Sequence, residues 1–470
     1  MVFASLVFLY LFFPLNLILY FSFKNQTYRN CILIIFSLVF YAWGEPVWVF
    51  PMVLTAFLDY ANSKMIYRFR GKKIAKLFLL LSVVIDVGIF ALFKYSGFIV
   101  ENINTVFKTS FAVPGFALPI GISFYTFQTL TYVVDVYKGR VKPAERFYKY
   151  LVYLVSYFQL VAGPIVRYTD VEKAVSCRKT TVNGFANGMS LFIYGLAKKV
   201  MIANIAGEFA GRYMHAEIGK LTFVGAWFGI IMYTVQLYFD FSGYSDMAKG
   251  LGKIFGFDFP DNFNYPYISK SVSEFWRRWH MTLGGFFRDY VYIPLGGNRK
   301  RVYLNLFIVW FLTGLWHGAS WNFVIWGLYN GFFIILERLL AGFFKRLPAV
   351  VSHVYLLIVV NIGFVFFYFE KLGSASQYLK VMFSINGNPF SDIATNTDIL
   401  NNIFFIAAAM LLCTPVFKLV QKGAYKIETL SSFSCAAVNV VKTLYLAALL
   451  LVSTAFLAGN SFNPFLYFQF

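Results

Sequence analysis

Two histidines, His280 and His317, lie 37 residues apart in the most polar stretch of an otherwise apolar chain. The first sits in FWRRWHMTLGGFFRDYVYIPLGGNRKR and the second in LTGLWHGASWNFVIWGLYNG. An ionisable group at bilayer depth is costly, so its presence there points to function. The run from Val302 to Trp316 follows Arg299-Lys300-Arg301. It therefore starts at a membrane face and rises roughly 22 Å at 1.5 Å per residue. That leaves His317 inside a hydrocarbon core of about 30 Å. A neutral imidazole there can act as general base toward a hydroxyl. The plainer alternative is a core histidine bonded to a backbone carbonyl, which is the reading given to His215 and His353.

The elements that must position these groups are membrane helices. Hydrophobic residues make up 59% of the 470 and charged residues only 13%, with apolar runs of spanning length throughout. The expected fold class is an all-α polytopic membrane protein. The net charge of +20 comes from bases clustered between apolar runs, where they set orientation; no nucleic-acid partner is expected. Lys64, Arg68, Arg70, Lys72, Lys73 and Lys76 form one basic loop, and Lys138, Arg140, Lys142, Arg146 and Lys149 another. Both are expected inside. Between them lie an apolar run, Leu77 to Lys94, a nearly neutral stretch, 98–119, and a second run, Ile120 to Tyr137. The first run, Ala4 to Phe23, reads as an uncleaved helix. The last, about 440–458, should bring the C-terminus to the outer face, where the N-terminus also lies. The membrane lipid is thus the first partner.

Scattered Cys31, Cys177, Cys413 and Cys435 form no CxxC pair, and the four histidines have no ligand-spaced companions, so no metal site is expected. Phosphate-loop and nucleophile-elbow motifs are absent. Without repeats or a linker, residues 1–470 read as a single domain. From Tyr238 to Arg301 glycines and prolines interrupt any long helix, and such backbone must be buried or line a wet cavity. Ser271 to Arg288 is expected to form amphipathic helix on the inner face, with Trp276 and Trp279 at headgroup depth. Arg277, Arg278, Arg288 and Arg299, with Lys300 and Arg301, are then either interfacial anchors or an electropositive mouth for an anionic donor such as a phosphorylated thioester carrier.

Several blocks together, in order, resemble the membrane-bound O-acyltransferase family: LPIGISFYTFQTLTYVVDVYKG (118–139), QLVAGPIVR (159–167), FDFSGYSDMAKGLGKIFG (239–256), FWRRWHMTL, RDYVYIPLGGNR and WHGASW. The motif-bearing core spans about 118–331. RDYVYIPLGGNR and the N-terminal block are more similar to the alginate and peptidoglycan O-acetyltransferase branch than to the teichoic-acid D-alanyl branch. The resemblance implies an all-α fold of roughly a dozen transmembrane or re-entrant helices, thin at its centre and pierced by a through-membrane tunnel, in a bacterial cell membrane. It implies His317 as the essential residue and His280 as the second family histidine. The donor it implies is acetyl-CoA or a comparable acyl thioester, used as a substrate, with no bound cofactor. His280, with a hydrogen-bonding neighbour such as Asn298, would position the donor or its carbonyl, and Gln236, Asp240, Ser242 and Asp246 would line the tunnel or bond helix to helix.

The chain ends SFNPFLYFQF. The F-x-Y-x-x-F pattern at 465–470 is similar to the end of the small membrane subunit of the teichoic-acid D-alanylation system. Tyr467 is therefore either an acyl relay reached from outside or an aromatic anchor. The expected activity is O-acetylation of an extracellular or cell-wall polysaccharide, alginate among them, with an SGNH-type extracytoplasmic partner. D-alanyl transfer to teichoic acid, a transporter or channel with His317 in a proton relay, and a structural subunit of a polysaccharide synthase are the alternatives.

Overall fold

Long apolar runs can enter a bilayer only as structures that satisfy their own backbone, and this chain does so with helices throughout. The computed structural model describes residues 1–160 and 163–459, and among them no strand occurs. Four described helices are long and apolar enough to cross a membrane: Lys73–Phe107, Val182–Met214, Ala349–Tyr368 and Ser432–Gly459. Ile393–Asn401 and Ile403–Leu412 add a broken span bent by 61°. Phe8–Ser22 and Val302–His317 are shorter apolar helices.

Two helices outrun their apolar runs. Lys73–Phe107 has 35 residues and a length of about 52 Å, so it continues through half of the neutral stretch expected as loop. Its polar residues there bond within the helix: Asn102 Nδ2 donates to the Phe98 carbonyl at 2.7 Å and Thr105 Oγ1 to that of Glu101 at 2.8 Å. A left-handed Lys108 (φ 52°) ends it. Ser432–Gly459 starts eight residues before the expected 440 because Ser431 caps it, its Oγ accepting from the Ser434 N–H at 3.0 Å.

The described residues fall into two compact units, each made of two stretches of chain: one from residues 1–192 (161 and 162 aside) with 244–260, the other from 193–243 with 261–459. In the first, helices Gln26–Ala42, Val49–Arg68, Ile122–Lys138 and Phe147–Val155 surround buried aromatics such as Tyr132, Tyr150 and Phe158. Its buried Arg178 is held by Tyr20 Oη (2.7 Å) and Asn30 Oδ1 (2.6 Å). In the second, the helices Val302–His317 and Trp321–Leu339 form a hairpin beside Ala349–Tyr368, around a core that includes Trp326, Phe364 and Tyr378. Both histidines belong to this unit.

The stretch expected as one amphipathic helix is two short ones, Val272–Arg278 and Met281–Phe287, broken at Trp279-His280. Trp276 and Trp279 do not sit as headgroup anchors in this fold. Trp279 is buried against Phe275 and Phe263, and Trp276 packs on Trp310 and Trp326. An acceptor for the Trp276 indole N–H, Asn330 Oδ1 at 3.1 Å, makes that burial tolerable.

Candidate active site

His280 occupies the break between the two short helices with φ 43° and ψ 53°. A non-glycine residue in the left-handed region is uncommon and is held there only by its surroundings. Here the surroundings are Asn262. Its Oδ1 lies 3.0 Å from His280 Nδ1, and it accepts from Thr282 Oγ1 at 2.9 Å and the Thr282 N–H at 3.3 Å. The Asn262 carbonyl also accepts the Met281 N–H at 2.9 Å. Because a backbone N–H can only donate, Asn262 presents oxygen to this cluster, and His280 Nδ1 must carry its proton. Nε2 is then an acceptor, suited to an N–H or O–H and not to a carbonyl oxygen. Asn262, and not Asn298, is therefore the neighbour that orients His280. Asn298 is exposed and accepts from Tyr292 Oη (2.9 Å) and Arg338 Nη1 (3.0 Å). Burial pushes the His280 imidazole down to about 3, so it is neutral near neutral pH.

His317 is the last residue of Val302–His317, a helix of 16 residues that rises about 24 Å and so falls short of a core of about 30 Å. The helix hairpin is tight because a Cβ on Gly314 would run into the Phe323 carbonyl, and one on Gly327 into that of Trp310. The closeness brings Trp326 of the second limb onto the His317 ring at 4.8 Å, with Trp316 at 4.8 Å and Phe367 at 5.2 Å completing an aromatic box. His317 is 5% exposed. Trp316 also meets the His280 ring at 6.0 Å, while Phe241 meets it edge-on at 4.7 Å. The two histidines flank one indole. An aromatic enclosure with an imidazole at each side, once an imidazole is unprotonated, can deprotonate a hydroxyl and keep water from the acyl group.

Of the four residues expected along a tunnel, Gln236 and Asp240 lie four apart on the helix Phe223–Phe255, as do Ser242 and Asp246, and the second pair is turned by about 120° around the helix from the first. Asp240 is half of a buried ion pair with Lys199 at 2.8 Å, the side chains 1% and 5% exposed. Lys199 lies on a π-helical turn, Lys198–Ala203, a distortion that recurs at functional positions. Sequence reading missed Lys199, although a lysine inside the apolar run LAKKVMIANI was a signal. It missed Asn262 too, which nothing in DFPDNFN distinguished.

Of the basic residues, Arg278 pairs with Glu274 at 2.9 Å and Arg288 with Asp289 at 2.7 Å. Arg277, Arg299, Lys300 and Arg301 are exposed. His215 and His353 make ordinary hydrogen bonds, to Tyr368 Oη (2.8 Å) and the Ser269 carbonyl (2.9 Å). Tyr467 and the rest of the 465–470 tail lie outside the described residues. A separate apolar cavity of about 370 Å³, bordered by Thr234, Asn361 and Cys413, is lined by neither His280 nor His317.

Residues 144–374 match the model of the membrane-bound O-acyltransferase family. The whole chain aligns with the whole of a protein of Azotobacter vinelandii described as a probable alginate O-acetylase, at 36% identity. A protein of the same description from Pseudomonas aeruginosa is 40% identical over 84% of this chain and 77% of its own. This chain belongs to the membrane-bound O-acyltransferase family. It is an integral membrane protein and an O-acyltransferase. A further family member, the peptidoglycan O-acetyltransferase of Helicobacter pylori, is 31% identical over 100% of this chain and 98% of its own. The family match contains His280, His317, Asn262 and Lys199.

Proposed function

We propose that this O-acyltransferase passes an acetyl group from a cytoplasmic thioester, acetyl-CoA or a close analogue, to an extracytoplasmic polysaccharide such as alginate or a cell-wall glycan. The observation that carries the reading is His317, buried in an aromatic box at the end of a helix too short to cross the bilayer. His317 takes the proton of the acceptor hydroxyl, the oxygen bonds to the acyl carbon, the carbon–sulfur bond breaks, and the proton passes to the departing thiolate. His280 Nε2 accepts a hydrogen bond from an amide N–H of the donor's arm, or from the acceptor hydroxyl, and so holds a reactant in line. The exposed bases Arg277, Arg299, Lys300 and Arg301 attract the donor's phosphates on the cytoplasmic side. Both termini then lie outside, in a bacterial cytoplasmic membrane.

On this reading Tyr467 receives the acetyl group first and hands it to a partner of the SGNH type. A phenol is a suitable relay because the phenolate leaves more readily than an alkoxide. Tyr467→Phe then keeps the protein in the membrane and stops polymer acetylation; unchanged acetylation removes the relay and leaves the family chemistry intact. The decisive experiment supplies acetyl-labelled acetyl-CoA to proteoliposomes of the purified chain together with a hydroxyl acceptor. Free thiol and acetyl ester should appear in equal amounts. Solute flux that needs no donor, with no thiol released, would instead make the protein a transporter.

A further inference from the structure

The helix that follows His317 also grips the helix that leads to His280. Glu337, buried near the end of Trp321–Leu339, accepts the Val272 N–H through Oε1 at 2.5 Å and the Ser273 N–H through Oε2 at 2.9 Å. Ser271 Oγ takes the third N–H of that first turn, from Glu274, at 3.0 Å. Those N–H groups have no partner inside their own helix, and a carboxylate at a helix start also meets the positive end of its dipole. Two turns earlier on Trp321–Leu339, Asn330 accepts the Trp276 indole N–H at 3.1 Å while its own Nδ2 donates to the Trp326 carbonyl at 2.8 Å. Tyr355 Oη adds a longer bond of 3.4 Å to Glu337 Oε1. Val272–Arg278 is only seven residues long and ends two residues before His280. A seven-residue helix, about 10 Å long, has little stability of its own and takes its place from what holds it.

We infer that Glu337, with Asn330, is a positioning clamp that fixes the Trp279-His280 turn against the hairpin carrying His317. The clamp rests on the reading that both histidines serve one site. Neither residue touches the reactants. Glu337 holds the start of the helix, Asn330 holds its middle, and the distance from the Trp321–Leu339 helix to His280 is thereby set at two points. Without the clamp the turn relaxes from its left-handed conformation, and His280 leaves its enclosure between Phe241 and Trp316.

The test uses the full chain in detergent and a probe that reports His280 without any turnover. Diethyl pyrocarbonate modifies accessible neutral imidazoles, and His280 is 2% exposed, so the wild-type protein should react slowly at this residue, as read by peptide mass spectrometry. Glu337→Gln keeps one acceptor oxygen and loses the other. Its His280 should react at least fivefold faster while the melting temperature stays close to wild type. Acetyl transfer should fall about tenfold in kcat with the donor KM unchanged. Asn330→Ala, which frees the Trp276 N–H alone, should move both readouts the same way, and Asn330→Asp, which retains the acceptor, should restore them. Tyr355→Phe should change neither. A Glu337→Gln protein that melts early but whose folded fraction keeps wild-type His280 reactivity would reduce Glu337 to fold support and overturn the clamp. Faster His280 modification in a chain that transfers no acyl group would sustain the clamp and sink the proposed chemistry.

Discussion

Replacing Asn262 by alanine removes one oxygen on which three donors converge. Thr282 is only half-buried, so water can replace its bonds to the N–H and hydroxyl. His280 is 2% exposed and its Nδ1 loses the partner at 3.0 Å. A buried donor left unmet costs about 1–3 kcal/mol. We expect a stability loss in that range and, since about 1.4 kcal/mol is tenfold in rate, a fall in acetyl transfer of roughly tenfold or more. Asn262→Asp is the sharper variant. A carboxylate in place of the amide keeps the acceptor and favours the imidazolium, so His280 should titrate well above its wild-type value. The acid limb of the rate profile should shift upward in pH accordingly. Transfer rates from purified chain between pH 5 and 9, with folded protein verified by size exclusion, read both effects. Asn262→Ala turnover above half of wild type, or an Asn262→Asp profile that coincides with wild type, would refute the claim that Asn262 sets the His280 proton.

Three further outcomes follow from the same geometry. Lys199→Met should destabilise the protein by about 3–5 kcal/mol because it takes the cation from the buried Asp240 carboxylate, whereas Lys199→Met with Asp240→Leu should recover most of the loss in a thermal melt. Acid should weaken the fold through His280: the unfolded residue binds a proton below about 6.5 while the folded one stays neutral to about 3, so stability falls with pH across that window, by about 1.4 kcal/mol at pH 5.5. Melts of His280→Gln should show a shallower slope. Donor affinity should weaken as salt rises, and Arg299→Gln should weaken it more than Arg288→Gln, since Arg288 is already paired with Asp289; equal effects would remove the discrimination.

Apolar run length made the membrane helices legible, and the motif blocks around His280 and His317 made the family legible. What escaped was long-range. Asn262 reaches His280 across 18 residues, Glu337 reaches Val272 across 65, and Lys199 reaches Asp240 across 41. No local period encodes such pairs. Trp276 and Trp279 beside two arginines read as an interfacial belt because amphipathic surface helices and buried Trp clusters have the same composition; only the Asn330 acceptor and the surrounding indoles separate the two cases. Gln236, Asp240, Ser242 and Asp246 share polarity, but the helical repeat turns the second pair about 120° from the first, and polarity alone does not show that Asp240 pairs with Lys199.

The central claim is that the His317 imidazole is the base in acyl transfer, and one measurement bears on it directly: single-turnover transfer from acetyl-CoA to a hydroxyl acceptor by His317→Ala chain that is inserted and folded like wild type. The account predicts a loss of roughly 10² or more, no rescue by His317→Gln, and a smaller loss for His280→Ala. A folded His317→Ala protein that keeps more than half of the wild-type rate would contradict it.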